Sequence, residues 1–194
     1  MKSAGDVRRR TRDDWTAAAL EALADGGLAA VAIEPLAARV GATKGSAYWH
    51  FPNREALVTA TLERWERDHT EAVIDMVEAE GGDPATRLRR LFGAVLDPAH
   101  GPHVELALLS TSDDPLVAAA VSRVNERRIG YLARLLGQLG FARAQARRRA
   151  VLAYSVYLGQ AQLMRATPGV LPQGKAARRA HLDDVLTTML AAPV

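Results

Sequence analysis

Apolar residues in this chain recur at helical spacing from Trp15 to Met189, and Val and Ile rarely alternate with polar neighbours. Apolar positions at i, i+3, i+4 and i+7 share one helix face, whereas a half-buried strand needs a period of two. Trp15, Ala18, Ala19, Ala22 and Leu23 form one such stripe, stopped by Asp25-Gly26-Gly27; Ile33, Leu36, Ala37 and Val40 form the next, stopped by Gly41. Pro35 falls in the first turn of that second helix, where its missing N–H does no harm. Thr43 and Asn53 stand where N-caps belong, before helices starting at residues 44 and 54. Asp83-Pro84 and Asp113-Asp114-Pro115 open two more, and further stripes run through 103–109, 143–165 and 175–190. The pattern predicts an all-α fold of about nine helices.

The chain has 194 residues, 48% of them apolar, enough for one domain or two small ones with a real core. It contains no cysteine, which excludes disulfides, thiolate metal sites and a cysteine nucleophile. Residues 1–14 are charged throughout, without the apolar segment of a secretory signal. The longest stretch lacking Asp, Glu, Lys and Arg, 150–164, is 15 residues long. That is short of the ~20 needed to span a bilayer and reads as a buried helix. A soluble, cytoplasmic protein with no membrane partner is expected. Net charge is only +3, but residues 1–12 carry Lys2, Arg8, Arg9, Arg10 and Arg12 against Asp6 alone. Such a basic arm suits a nucleic-acid partner.

The segment 32–51 is the informative one. A short apolar-striped helix ends at Gly41, a three-residue turn follows, and the next short helix offers Lys44, Gly45, Ser46, Ala47 and Tyr48. Only Ala47 is an evident inward anchor. Lys and Ser can bond base edges, Gly45 permits close approach, and Tyr48 and His50 can reach phosphates. By spacing alone, an ordinary helical hairpin fits equally well.

Residue identities add to this. Gly27, then Ile33-x-x-Leu36-Ala37-x-x-Val40-Gly41-Ala42-Thr43-Lys44-Gly45-Ser46-Ala47-Tyr48-Trp49-His50-Phe51, then Asn53-Arg54-Glu55-Ala56-Leu57 resembles the TetR family of bacterial transcriptional regulators over residues 8–68. The resemblance implies an N-terminal DNA-binding head, 1–52, and a helical effector-binding and dimerisation body, 53–194. It implies that Thr43 caps the recognition helix and touches a phosphate, and that Lys44, Gly45 and Ser46 face the bases. Tyr48, His50 and Arg54 would contact phosphates, with Trp49, Arg10 and Arg12 on the same surface, and Phe51 would plug the joint between helices three and four. At the N-cap of helix two the family usually has Ser or Thr; here it is Ala32, which forfeits a cap bond typically worth ~1 kcal/mol.

In the body, the helix around 150–164 is apolar on all sides and must be covered on all sides. A homodimer seam is expected to use Leu152, Val156 and Leu163 together with Leu182, Val185, Leu186 and Met189. Trp65, His69, Phe92, His103, Tyr131, Tyr154 and Tyr157 are the candidate lining of an effector cavity, since they combine apolar bodies with polar tips. No acidic cluster favours a highly cationic ligand, and the expected effector is small, apolar or weakly polar. His100-x-x-His103 with Glu105 falls beside Pro98, Gly101 and Pro102, in a loop without helical ligand spacing, so no metal is expected. Nor is any cofactor implied. The expected function is a homodimeric repressor on double-stranded operator DNA, released by a small molecule, and not an enzyme. The alternatives are a small helical enzyme or ligand carrier with a vestigial head, and a ligand-free or activating regulator.

Overall fold

A computed structural model describes residues 10–96 and 103–191, together with the backbone but not the side chain of His103. The arm residues Lys2, Arg8 and Arg9 and the loop containing His100 lie outside the described residues. Ten α-helices account for the chain, with no strand among the described residues: α1 Arg12–Gly26, α2 Ile33–Val40, α3 Lys44–Tyr48, α4 Arg54–Glu66, α5 Ala72–Ala79, α6 Pro84–Val95, α7 His103–Leu109, α8 Pro115–Gln138, α9 Arg143–Ala166 and α10 Lys175–Leu190. A π-helical turn, Arg67–Glu71, joins α4 to α5 without a break, so the two form one rod and nine rods result, as the stripes predict. None is long and apolar enough to cross a membrane.

The predicted starts hold for a physical reason: each supplies a side-chain acceptor to orphan amides of the first turn. Asn53 Oδ1 accepts from Ala56 N at 2.8 Å, Asp83 Oδ1 from Thr86 N at 2.7 Å, and Asp114 Oδ1 from Leu116 N at 2.9 Å. Helix α1 starts with a reciprocal box that the stripe alone did not reveal. Thr11 Oγ1 accepts from Asp14 N at 3.1 Å, and the Asp14 carboxylate accepts from Thr11 N at 2.8 Å. Thr-x-x-Asp is the sequence signal that finds it.

Two apolar cores result. The first unites α1–α4 with Val104, Ala107 and Leu108 of α7 and Val117, Ala120 and Val124 of α8. The second joins Ile74 and Val77 of α5, Leu88 and Phe92 of α6, the later half of α8, α9, and Leu186 and Met189 of α10. The core around the N-terminal helices therefore extends past residue 52, through α4 to Trp65, and includes α7.

Between these cores sits Arg128, almost fully enclosed. Its Nε donates to Thr70 Oγ1 at 2.9 Å, and its Nη2 donates to the His69 carbonyl at 3.0 Å and to Glu105 Oε1 at 2.9 Å. The guanidinium lies 5.5 Å from the Trp65 ring centre and 5.9 Å from that of Tyr157. Glu105 is 5% exposed. Burial pushes its carboxyl up, but Arg128 and then His69 outweigh that and hold it below the ordinary value. Removing one partner of such a pair strands the other charge, and Glu105→Gln should lower unfolding stability by about 3 kcal/mol in urea titrations. Because the folded carboxyl titrates lower than the unfolded one, the pair's stabilisation is present above the unfolded value of about 4.3 and is lost as pH falls through the folded value. The gap between wild type and variant should therefore close in acid.

Candidate functional site

Helix α2 buries Ile33, Leu36, Ala37 and Val40 and ends where Gly41 turns left-handed, at φ 64°. That conformation lets Ala42 N donate back to the Ala37 carbonyl at 2.9 Å. Thr43 then caps α3, its Oγ1 accepting from Ser46 N at 3.2 Å. Within α3 only Ala47 is buried. Lys44, Gly45, Tyr48 and the following Trp49 all face outward, Tyr48 54% and Trp49 80% exposed, while Ser46 is half-buried. A Cβ at Gly45 would meet nothing nearer than Thr43 Oγ1 at 3.8 Å, so packing within the chain does not require glycine there. Lys44 is ion-paired with Glu34 of α2, a partner that sequence reasoning did not single out.

Three further predicted contact residues are already engaged within the chain. His50 Nε2 lies 3.0 Å from the Arg10 carbonyl, which can only accept, so this nitrogen carries the proton. Arg12 sits over the Phe51 ring at 5.5 Å and 3.9 Å from Glu63. Phe51 is the expected plug, 1% exposed. Arg54 Nε donates to the Val31 carbonyl and its Nη2 to the Leu28 carbonyl, both at 2.7 Å. Its guanidinium thus clamps the start of α4 to the turn before α2. Arg64, also overlooked in the sequence, ties α4 to the start of α1 through Asp13 at 2.6 Å.

This geometry has a counterpart among known proteins. Residues 16–61, from α1 into α4, match the family described as bacterial regulatory proteins, tetR family. That match covers 46 of the 194 residues, all of them in the N-terminal helices. Solved structures of transcriptional regulators share the fold over nearly the whole chain. One from Rhodococcus sp. Rha1 is 23% identical with a TM-score of 0.77, covering 95% of this chain and 100% of its own. The reduced form of Escherichia coli NemR is 18% identical with a TM-score of 0.76, covering 93% and 95%. A putative regulator from Saccharomonospora viridis in complex with choline is 20% identical with a TM-score of 0.72, covering 89% and 93%.

Behind the matched N-terminal helices, five of the predicted cavity residues do converge. His69, Phe92, Tyr131, Tyr154 and Tyr157 surround one space together with Arg128, but its volume is about 60 Å³. That is far below the ~300 Å³ at which small-molecule sites begin. Tyr131 donates to Glu78 Oε1 and Tyr154 to Asn125 Oδ1, each at 2.7 Å. Burial, reinforced by Glu78, pushes the Tyr131 hydroxyl up to about 12. Trp65 is buried under Arg128 and does not line this space. A larger cleft, about 580 Å³, opens between α6, α9 and α10 and shares Phe92 with the smaller cavity.

The predicted seam divides. Leu152 and Leu163 are exposed on α9, and Val156 is half-buried. Leu186 and Met189, by contrast, are 2% and 5% exposed within the single chain, part of the second core, and Leu182 and Val185 pack against that core. The stripe on α10 is therefore its inward face, and Leu186 and Met189 do not face a partner. The outward face carries Ala177, Ala180, Asp184 and Thr187.

The missing cap of α2 is a smaller loss than its sequence suggests. Ala32 is the N-cap, in the extended conformation that capping residues adopt, and makes no side-chain bond. Pro35 stands at the third helical position, so one of the two amides that a cap serves does not exist. Thr43→Ala should cost about 1 kcal/mol, whereas Ala32→Ser should return clearly less than that. Thermal unfolding resolves the two, at about 2–4 °C per kcal/mol for a chain of this size.

Proposed function

We propose that this protein is a transcriptional regulator that binds double-stranded operator DNA as a homodimer and is released by a small molecule. The observation that carries the reading is the outward face of α3. A five-residue helix with one buried anchor presents a cation, a glycine and two large aromatic groups to solvent, a surface that packing within the chain does not use. Lys44, Gly45 and Ser46 read bases, while Thr43, Tyr48, Trp49, His50, Arg10 and Arg12 position the backbone. Arg54 contributes by holding the turn that sets α2. Affinity for DNA upstream of the regulated gene should fall steeply with salt, with a log–log slope near −0.9 per phosphate contact. Lys44→Ala should relax preference at one base pair per half-site by ~1–3 kcal/mol, while Tyr48→Phe weakens all sequences alike. A flat salt response in a fluorescence-anisotropy titration would refute the reading.

Two recognition helices enter successive major grooves when they lie about 34–36 Å apart, which a two-fold dimer arranges. Support for the dimer comes from α9. Leu152, Val156, Gly159 and Leu163 line up at helical spacing on the face opposite the buried Ala150, Ala153, Tyr157 and Ala161. The small outward residues of α10 allow close approach beside them. Because the same residue appears on both sides of an isologous interface, each lesion acts twice. Leu152→Glu with Leu163→Glu, both at exposed positions, should leave the fold intact and shift sedimentation from dimer to monomer.

For the effector, the reading rests on the body's empty space. The 60 Å³ cavity holds little more than water, so the 580 Å³ cleft is the proposed entry. With no cysteine in the chain, the release signal is a bound ligand rather than thiol oxidation.

A further inference from the structure

We propose that the cleft between α6, α9 and α10 is a site for an amphipathic organic anion, a single apolar chain carrying a carboxylate or phosphate head. The inference deepens the reading of the body as an effector domain and rests on it.

The floor of the cleft is apolar, with Phe92, Leu96, Leu106, Met164, Leu171 and Leu182. Its rim is cationic: Arg165, Lys175, Arg178 and Arg179, with His181 between them. Among the described residues no carboxylate lines it. Outside the rim, Arg143 and Arg148 near the start of α9 also lack an ion pair among the described residues, but every arginine from Arg64 to Arg134 lies within ion-pair distance of a carboxylate. Arg165, Lys175, Arg178 and Arg179 have no such partner among the described residues.

Like charges gathered at one concave mouth repel one another, and the low-dielectric floor limits how well water screens them. An anion at the rim relieves that repulsion and gains charge-assisted hydrogen bonds from guanidinium groups, whose fork matches carboxylate and phosphate. The floor meanwhile covers a chain or ring. At about 580 Å³ the cleft is within the range of small-molecule sites. A quaternary ammonium, such as the choline bound by the Saccharomonospora viridis regulator, would meet like charge here. Gln160, 2.9 Å from His181 through its amide nitrogen, supplies the remaining polar atoms near the head-group end.

The test is calorimetric titration of the full chain with four ligands sharing a ten-carbon tail: decanoate, decyl phosphate, decanol and decyltrimethylammonium. The two anions should bind saturably, about tenfold tighter than decanol, and the ammonium weakest of all. Their relative affinities identify the preferred head. Arg178→Ala with Arg179→Ala, at exposed positions outside both cores, should lower anion affinity about tenfold and leave decanol unchanged. Equal affinity for all four heads, no saturable binding of either anion, or an unchanged anion affinity in the double variant would overturn the proposal. Operator affinity is measured on the same preparations. Intact DNA binding without anion binding removes the cleft site alone; anion binding without DNA binding leaves the cleft site standing and removes the regulator.

Discussion

The contacts of Arg128 are the condition on which the arrangement of this chain depends. A guanidinium withdrawn from water is tolerated only if its donors find acceptors and its charge finds a counter-charge. Here the acceptors come from the π turn between α4 and α5 and from α7, and the rings of Trp65 on α4 and Tyr157 on α9 lie 5.5 and 5.9 Å from the guanidinium. The π turn is tied to α8 a second time, where Arg127 Nε and Nη2 donate to the Glu71 carboxylate at 2.8 and 2.7 Å. Helix α7 carries Glu105 on one side and Val104, Ala107 and Leu108 on the other, and the latter complete the core of the head. The position of α1–α4 relative to the body is thereby linked to this buried ion pair as well as to the shared apolar core. Any ligand that alters the body must act on the head through elements that both cores share, namely α4, α7 and α8.

Much of the fold was legible because its boundaries are local chemistry. Asn53, Asp83-Pro84, Asp114-Pro115 and Thr43 cap helices wherever they stand before an apolar stripe, and Gly41 provides a left-handed turn that other residues resist. The surface proposed for recognition was legible for the same reason: a helix with one inward residue announces that its other side chains have a different use. Tertiary partnerships were not. Nothing at positions 67–71 marks a π turn, for no glycine or proline interrupts the helix there. Arg128 and Glu105 are 23 residues apart and read separately as ordinary surface charges.

The α10 stripe shows where periodicity stops being informative. Leu182, Val185, Leu186 and Met189 share a face, and that face must be buried, but a stripe does not say against what. Within this chain α6 and α9 cover it. Arg54 and His50 show a related limit. Each has the residue type and position of a phosphate ligand, yet each is held by a backbone carbonyl. Position in a motif assigns a residue to a neighbourhood; here the donors are spent on building that neighbourhood.

The same reasoning separates the two spaces in the body. The aromatic cluster attracts attention as a ligand cavity because tyrosines offer polar tips in apolar surroundings. In the folded chain those tips are satisfied: Tyr131 by Glu78, Tyr154 by Asn125. A ligand there would have to displace existing hydrogen bonds and open a space of about 60 Å³, losing as much as it gains. At the cleft the apolar floor is open and the cations around it have no carboxylate partner among the described residues, so an incoming anion breaks no ion pair seen there in order to form one. Binding is favoured where the fold leaves a group unsatisfied, and among the described residues the rim between α9 and α10 gathers four such cations around one cleft.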